Sequence, residues 1–222
     1  QKFMENCMSL VKELGISTNA SIAEIAKLAL AKSRANELHA AGQYKPKGVI
    51  AADIHGFGNI ASAYTFAVHG CCVKVDTLTG KSTVEEYWAA HDAGTIINPL
   101  GAIGQVIGGV VQGLGMALSE TTSVSKNGQL LNPSYLDDRV PTFPDVPQVN
   151  VYFSPVFEDN GPAGAKTIGE PPVIPVAGCV ANAIYDAIGV RQYNLPMTPE
   201  QVWRTLNDHE SSKAAQFKEC LA

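Results

Sequence analysis

The chain has 222 residues, 45% of them hydrophobic and 17% charged, with a net charge of −5. That length suits one large or two modest domains with a sizeable core. The acidic balance and the lack of a basic run argue against nucleic acid and anionic membrane as partners, and no apolar run reaches the length of a membrane span. The five cysteines, Cys7, Cys71, Cys72, Cys179 and Cys220, are odd in number and form no C-x-x-C, which argues against a disulfide scaffold, a zinc ribbon or a local iron–sulfur site. A reducing, cytoplasmic setting is expected. The chain opens on Gln1 inside a helical pattern, with no signal-like segment, so a piece of a larger subunit is the expectation.

Residues 2–14 read as an amphipathic helix, with Phe3, Cys7, Leu10 and Leu14 at helical spacing and Gly15 as its stop. Ser21 and Glu24 form a capping box that opens a second helix over 22–31. Residues 42–62 read as a loop, and His55 within it as a surface residue. Tyr64, Phe66 and Val68 alternate into a strand that reaches Asp76. Residues 77–81 turn, and 83–90 form the partner strand of a hairpin. Cys71 and Cys72 face opposite sides of that strand and read as packing.

A long helix is predicted over 100–119, with Pro99 at its first turn. It carries Gly101, Gly104, Gly108, Gly109, Gly113 and Gly115. Each interior glycine costs about 0.5–1 kcal/mol relative to alanine, so the helix needs a compensating gain. Two gains stay open: a tight helix–helix seam, or close approach of a flat ligand. Gln105 and Gln112, seven apart, lie near one face, where an amide can both donate and accept. The glycines do not follow a preceding strand as G-x-G-x-x-G, so a dinucleotide site is not expected.

Asn127-Gly128 is a hairpin-type turn, 132–147 an ordered irregular connection and 149–157 a strand. Next comes Gly164-Ala165-Lys166-Thr167-Ile168-Gly169-Glu170-Pro171-Pro172. Two prolines come after its single carboxylate, and the residue before a proline is held extended. Two readings stay open: a Gly/Pro loop with an incidental acid, or a rigid frame for a catalytic base, which must be aimed to within about 0.5 Å. Residues 173–188 read as a helix stopped by Gly189, and a last short helix runs to Leu206. Residues 207–222 read as a polar tail after a region spanning 1–206.

Six motifs, in order, resemble the large subunit of the molybdenum hydroxylases, the xanthine dehydrogenase/aldehyde oxidase family. They are Ala63-Tyr64-Thr65-Phe66; His91-Asp92-Ala93-Gly94 through Asn98-Pro99; Gly104-Gln105 with Gly108-Gly109-Val110-Val111-Gln112-Gly113; Arg139-Val140-Pro141-Thr142 with Asp145-Val146-Pro147; the Gly164–Pro172 stretch; and Ala181-Asn182-Ala183-Ile184-Tyr185-Asp186-Ala187.

The resemblance implies an α+β fold, the C-terminal molybdopterin-binding portion of that subunit, with mixed sheets and packed helices. It implies molybdopterin carrying molybdenum, held by the pterin dithiolene and not by protein ligands, so no metal-ligating residue is assigned. The nucleotide on the pterin stays open, a cytosine dinucleotide form among the options. Iron–sulfur clusters and FAD would sit on partners: the other half of the large subunit, a [2Fe-2S] subunit and an FAD subunit. The implied chemistry is hydroxylation of an N-heterocycle or aldehyde carbon with oxygen from water. Glu170 is the implied base. Burial beside the cofactor would raise its pKa, and a helix N-terminus after Pro172 would lower it. Gln105, Gly108, Gly109, Gln112, Lys166 and Gly169 are the implied cofactor-binding residues. A non-catalytic scaffold subunit and a reductive aryl-thioester dehydroxylase stay open as alternatives.

Overall fold

The computed structural model describes residues 2–13, 15, 21–33 and 46–220. The chain divides into two compact units, Gln1–Ser62 and Ala63–Ala222. In the first, helices α1 (Lys2–Glu13) and α2 (Ile22–Ser33) share a small core of Val11, Ile25 and Ala29. The capping box forms as expected: the Glu24 carboxylate accepts from the Ser21 backbone N–H at 2.9 Å. Leu14 falls outside the described residues. Residues 50–59 fold back on themselves, with an Ile50–Asn59 bridge and the Asp53 carboxylate accepting from the backbone N–H of His55 and Phe57.

The second unit is built on a three-stranded mixed sheet in the order β1-β2-β3. Strands β1 (Ala67–Val75) and β2 (Ser82–His91) form the expected antiparallel hairpin, with a bulge at Cys72/Val73. Asp76 holds the turn together, its carboxylate accepting from Leu78 N–H at 2.9 Å. Strand β3 (Gln148–Phe153) pairs with β2 in parallel, Glu86 opposite Gln148 through His91 opposite Phe153. It ends at Phe153, short of the expected 157, because Pro155 comes within two residues and cannot continue a ladder.

The crossover between β2 and β3 contains helix α3 (Pro99–Leu118). Its N-cap is Asn98, whose side chain accepts from Gly101 N–H at 3.0 Å, with Pro99 at the first helical position. Helix α4 (Val176–Ile188) packs on β1 and against α3. It starts three residues later than expected, because turns occupy 171–175. Helix α5 (Pro199–Cys220) also differs: its backbone stays helical past Leu206, through residues expected to be a tail. The core joins Tyr87 and Ala89 of β2, Val106, Val110 and Leu114 of α3, Val176, Val180 and Ile184 of α4, and Val202 of α5. Each fully buried Val, Leu or Ile contributes about 1.5–3 kcal/mol.

At 20 residues and a mean hydropathy of 1.4, α3 is long and apolar enough to cross a membrane, a length of apolar chain not expected from the sequence. Its Val106, Val110, Leu114 and Ala117 are buried among β2 and α4 residues, as in the core helix of a folded domain.

Under α4 the sheet carries a line of polar groups. His69 Nδ1 lies 2.9 Å from the Tyr87 hydroxyl, and His69 Nε2 lies 2.9 Å from His91 Nε2. Burial, reinforced by the neighbouring His91, pushes the His69 pKa down to about 4. Burial lowers that of His91 as well. Cys71 and Cys179 are free thiols here, their sulfurs 3.5 Å apart between β1 and α4.

Candidate functional site

The Gly164–Pro172 segment lies beside the chain that leaves β2. Gly94 and Ala165 form an antiparallel bridge. Thr95 N–H donates to Gly164 O at 2.7 Å, and Lys166 N–H to Ala93 O at 2.9 Å. Farther along, the Thr65 hydroxyl donates to Thr167 O at 3.1 Å. Both Gly94 and Gly164 have positive φ, +65° and +79°, a conformation that only glycine adopts without strain.

Glu170 is exposed on this chain, and its carbonyl accepts from Val173 N–H at 3.1 Å. One expected feature differs here: no helix begins at Pro172. Residues 171–175 are turns, and the macrodipole of a helix starting at Val176 falls off within its first turn. The rigidity read from the two prolines is present: Pro172 is buried against Gly109 of α3.

Helix α3 meets this loop on one side. Gln105 donates its Nε2–H to Gly169 O at 2.9 Å, tying the helix to the residue before Glu170. A groove opens between the start of α3 and the segment, lined among others by Ile97, Gly101, Gln105, Ile168 and Gly169. Ile97 and Leu100 beside it are exposed, 67% and 83%.

The residues implied as cofactor contacts do not all point one way. Gly104, Gln105, Gly108 and Gln112 lie exposed along one face of α3, and a Cβ added at Gly104, Gly108 or Gly169 would meet nothing within 4 Å among the described residues. Gln112 is two turns from Gln105, about 10 Å along the axis. Gly109 turns inward instead. A Cβ there would lie 2.6 Å from the Pro172 Cβ, so its smallness serves the seam with the loop.

Lys166 also turns inward. Its side chain is only 7% exposed, with its amine 2.6 Å from Asp92 Oδ2 and 3.8 Å from Glu158 Oε2. It also donates to Tyr64 O at 3.0 Å. The hydrogen bond from Lys166 holds the Asp92 carboxyl below its usual range. Asp92, Glu158 and Tyr64 were not singled out as partners from sequence. They lie from 8 to about 100 positions away along the chain, and no local pattern links them to Lys166. Among the described residues, no three His, Cys, Asp or Glu side chains converge to hold a metal ion.

A family model described as "Molybdopterin cofactor-binding domain" matches residues 4–147; the Glu170 loop lies beyond the matched stretch. The chain is 42% identical over 132 residues to the putative xanthine dehydrogenase molybdenum-binding subunit of Escherichia coli strain K12, covering 59% of this chain and 18% of that protein. It is 37% identical over 139 residues to the nicotine 6-hydroxylase large subunit of Paenarthrobacter nicotinovorans, covering 61% and 17%. The solved aldehyde oxidoreductase from Desulfovibrio gigas superposes with a TM-score of 0.67 at 31% identity, over 72% of this chain and 17% of that one. The matched part is thus under a fifth of each of these proteins. With the mixed sheet and packed helices found here, the match over 4–147 places the chain in the molybdopterin cofactor-binding domain family.

Proposed function

We propose that this chain forms part of the cofactor wall of a molybdenum hydroxylase, with Glu170 as the base. The observation that carries the reading is the join between Gln105 and Gly169. It ties the open glycine face of α3 to the backbone of the residue before Glu170. The fit to a pterin rests on that face. Gly104 and Gly108 each cost the helix about 0.5–1 kcal/mol and touch nothing among the described residues. A flat group laid along the helix would use the space. The amides of Gln105 and Gln112 offer donors and acceptors to its polar edge.

Bound there, a molybdenum–pterin group would supply two-electron oxidation, with water as the source of oxygen. The chain's own part is proton handling and orientation. A Glu170 carboxylate oxygen would take the proton that the attacking oxygen gives up as it bonds to the substrate carbon. The buried Pro172 and the Gln105 bond to Gly169 O hold the backbone on either side of Glu170. Burial of Glu170 would come from the other chains that close the cavity.

The substrate class is an N-heterocycle of purine or nicotinate type, or an aldehyde. The names of the relatives, xanthine dehydrogenase, nicotine 6-hydroxylase and aldehyde oxidoreductase, support this range. The rest of the large subunit, a [2Fe-2S] subunit and an FAD subunit are the proposed partners. A pterin cytosine dinucleotide is the proposed cofactor form, and the cytoplasm the proposed compartment. Two of these relatives are named as subunits, which supports a multi-chain enzyme.

The test is Glu170→Gln in the assembled enzyme. Molybdenum content should be unchanged, while turnover falls by about 10²–10⁴-fold, the usual worth of a positioned base. A variant that keeps more than about a tenth of wild-type turnover defeats the assignment.

A further inference from the structure

Lys166 precedes Glu170 by four residues and also lines the groove, while its amine is bonded within the chain. A lysine ammonium has three donors. Here it donates to Asp92 Oδ2 and Tyr64 O, with Glu158 Oε2 close by at 3.8 Å. Asp92 directly succeeds β2, and Tyr64 lies just before β1. The cation therefore ties the Glu170 segment to the ends of two core strands. Asp92 is itself fixed: its N–H donates to Phe66 O at 2.9 Å, and its Oδ1 accepts from Gly94 N–H at 3.3 Å.

Such a pair is costly to bury and seldom adds stability over an apolar residue of the same shape. A methionine would fill the same space. What the charge adds is a defined position. Between Lys166 and the prolines, Ile168 packs against the core, while Thr167, Gly169 and Glu170 are exposed. The segment is held by discrete polar contacts, from Lys166 at one end to Gln105 on Gly169 O at the other. A base displaced by 1 Å can lose about 10²-fold in rate.

We propose that Lys166, through Asp92 and Tyr64, is the positioning residue that sets where Glu170 stands. It touches no reacting atom. The proposal rests on the reading of Glu170 as the base.

The experiment compares Lys166→Met, Lys166→Arg and Glu170→Gln in the assembled, cofactor-loaded enzyme. It measures kcat and KM separately, molybdenum content, and amide hydrogen exchange across 164–173, β1 and β2. For Lys166→Met the expected result is a kcat loss of about tenfold to a hundredfold with KM within about twofold. Molybdenum content should be retained, and exchange in 164–170 should be about tenfold faster while β1 and β2 keep their protection. Lys166→Arg, which keeps charge and donors, should recover part of both kcat and protection.

The proposal is overturned if Lys166→Met keeps kcat within about twofold of wild type, on the same scale, while Glu170→Gln is inactive. It is equally overturned if exchange rises throughout β1 and β2, which would make Lys166 a general stabiliser. If Glu170→Gln retains turnover, the base reading fails on its own. Exchange in 164–170 then decides for Lys166, faster supporting its hold on the segment and unchanged overturning it. If Lys166→Met does not assemble, Asp92→Asn, which removes the opposite charge at constant shape, is judged by the same criteria.

Discussion

The two sides of α3 carry the same residue type for different reasons. On the packed side, added Cβ atoms at Gly109 and Gly113 would lie 2.6 Å from Pro172 and 2.5 Å from Val176. These glycines let α4 and the loop before it lie directly on the helix. On the open side, Gly104 and Gly108 meet nothing within 4 Å. Among the described residues nothing offsets their cost, and a bound ligand is the proposed offset. The helix thus has a packed glycine face and an open one, and only the open face is proposed to meet a ligand.

The largest expected effect in that contrast comes from the packed side. Gly113→Ala should destabilise the protein by about 1–3 kcal/mol, the usual cost of overfilling a core, despite the better helix propensity of alanine. Denaturant unfolding of the assembled enzyme measures it. A stabilised variant would show that the seam can move aside.

Gly108→Ala should do the opposite in the cofactor-free protein, raising stability by about 0.5–1 kcal/mol. In the loaded enzyme it should lower the molybdenum retained. Unchanged molybdenum content would mean that nothing lies close along the open face.

The smallest effect sharpens the contrast through pH. His69 and His91 sit under the packed side with folded pKa values below the ordinary 6.5. The unfolded chain then binds more protons, so their contribution is fully present above about pH 6.5 and is lost as pH falls toward about 4. The Asp92–Lys166 pair has the same sign at lower pH. The Asp92 pKa is depressed from 3.8, so its contribution is lost as pH falls below that value. Unfolding midpoints at pH 7.5 and 5 should differ, and His69→Asn should flatten the slope. A slope unaltered in His69→Asn would place the acid sensitivity elsewhere.

Much of this fold was legible because its signals are local. Ser21 with Glu24, Pro99, the Asp76 turn and Gly189 each mark an element boundary within a few residues, and the structure puts boundaries there. The parallel docking of β3 on β2 was not legible, since its register depends on a partner more than 50 residues away. Pro175, just after Pro171 and Pro172, delays α4 to Val176, a delay that hydrophobic periodicity does not reveal. At the site, the shared face of Gln105 and Gln112 came from helical spacing alone. The inward turn of Gly109 and Lys166 did not, because it is set by Pro172 and Asp92, distant in sequence.

Gly94 and Gly164 interlock with no clearance. A methyl on the first would lie 2.4 Å from the carbonyl oxygen of the second, and one on the second would lie 2.3 Å from the ring of Phe157. A side chain on Gly94 would displace the Gly164 turn, and one on Gly164 would displace Phe157. Substitutions that spare both turns are best placed at exposed positions such as Ile97 and Leu100.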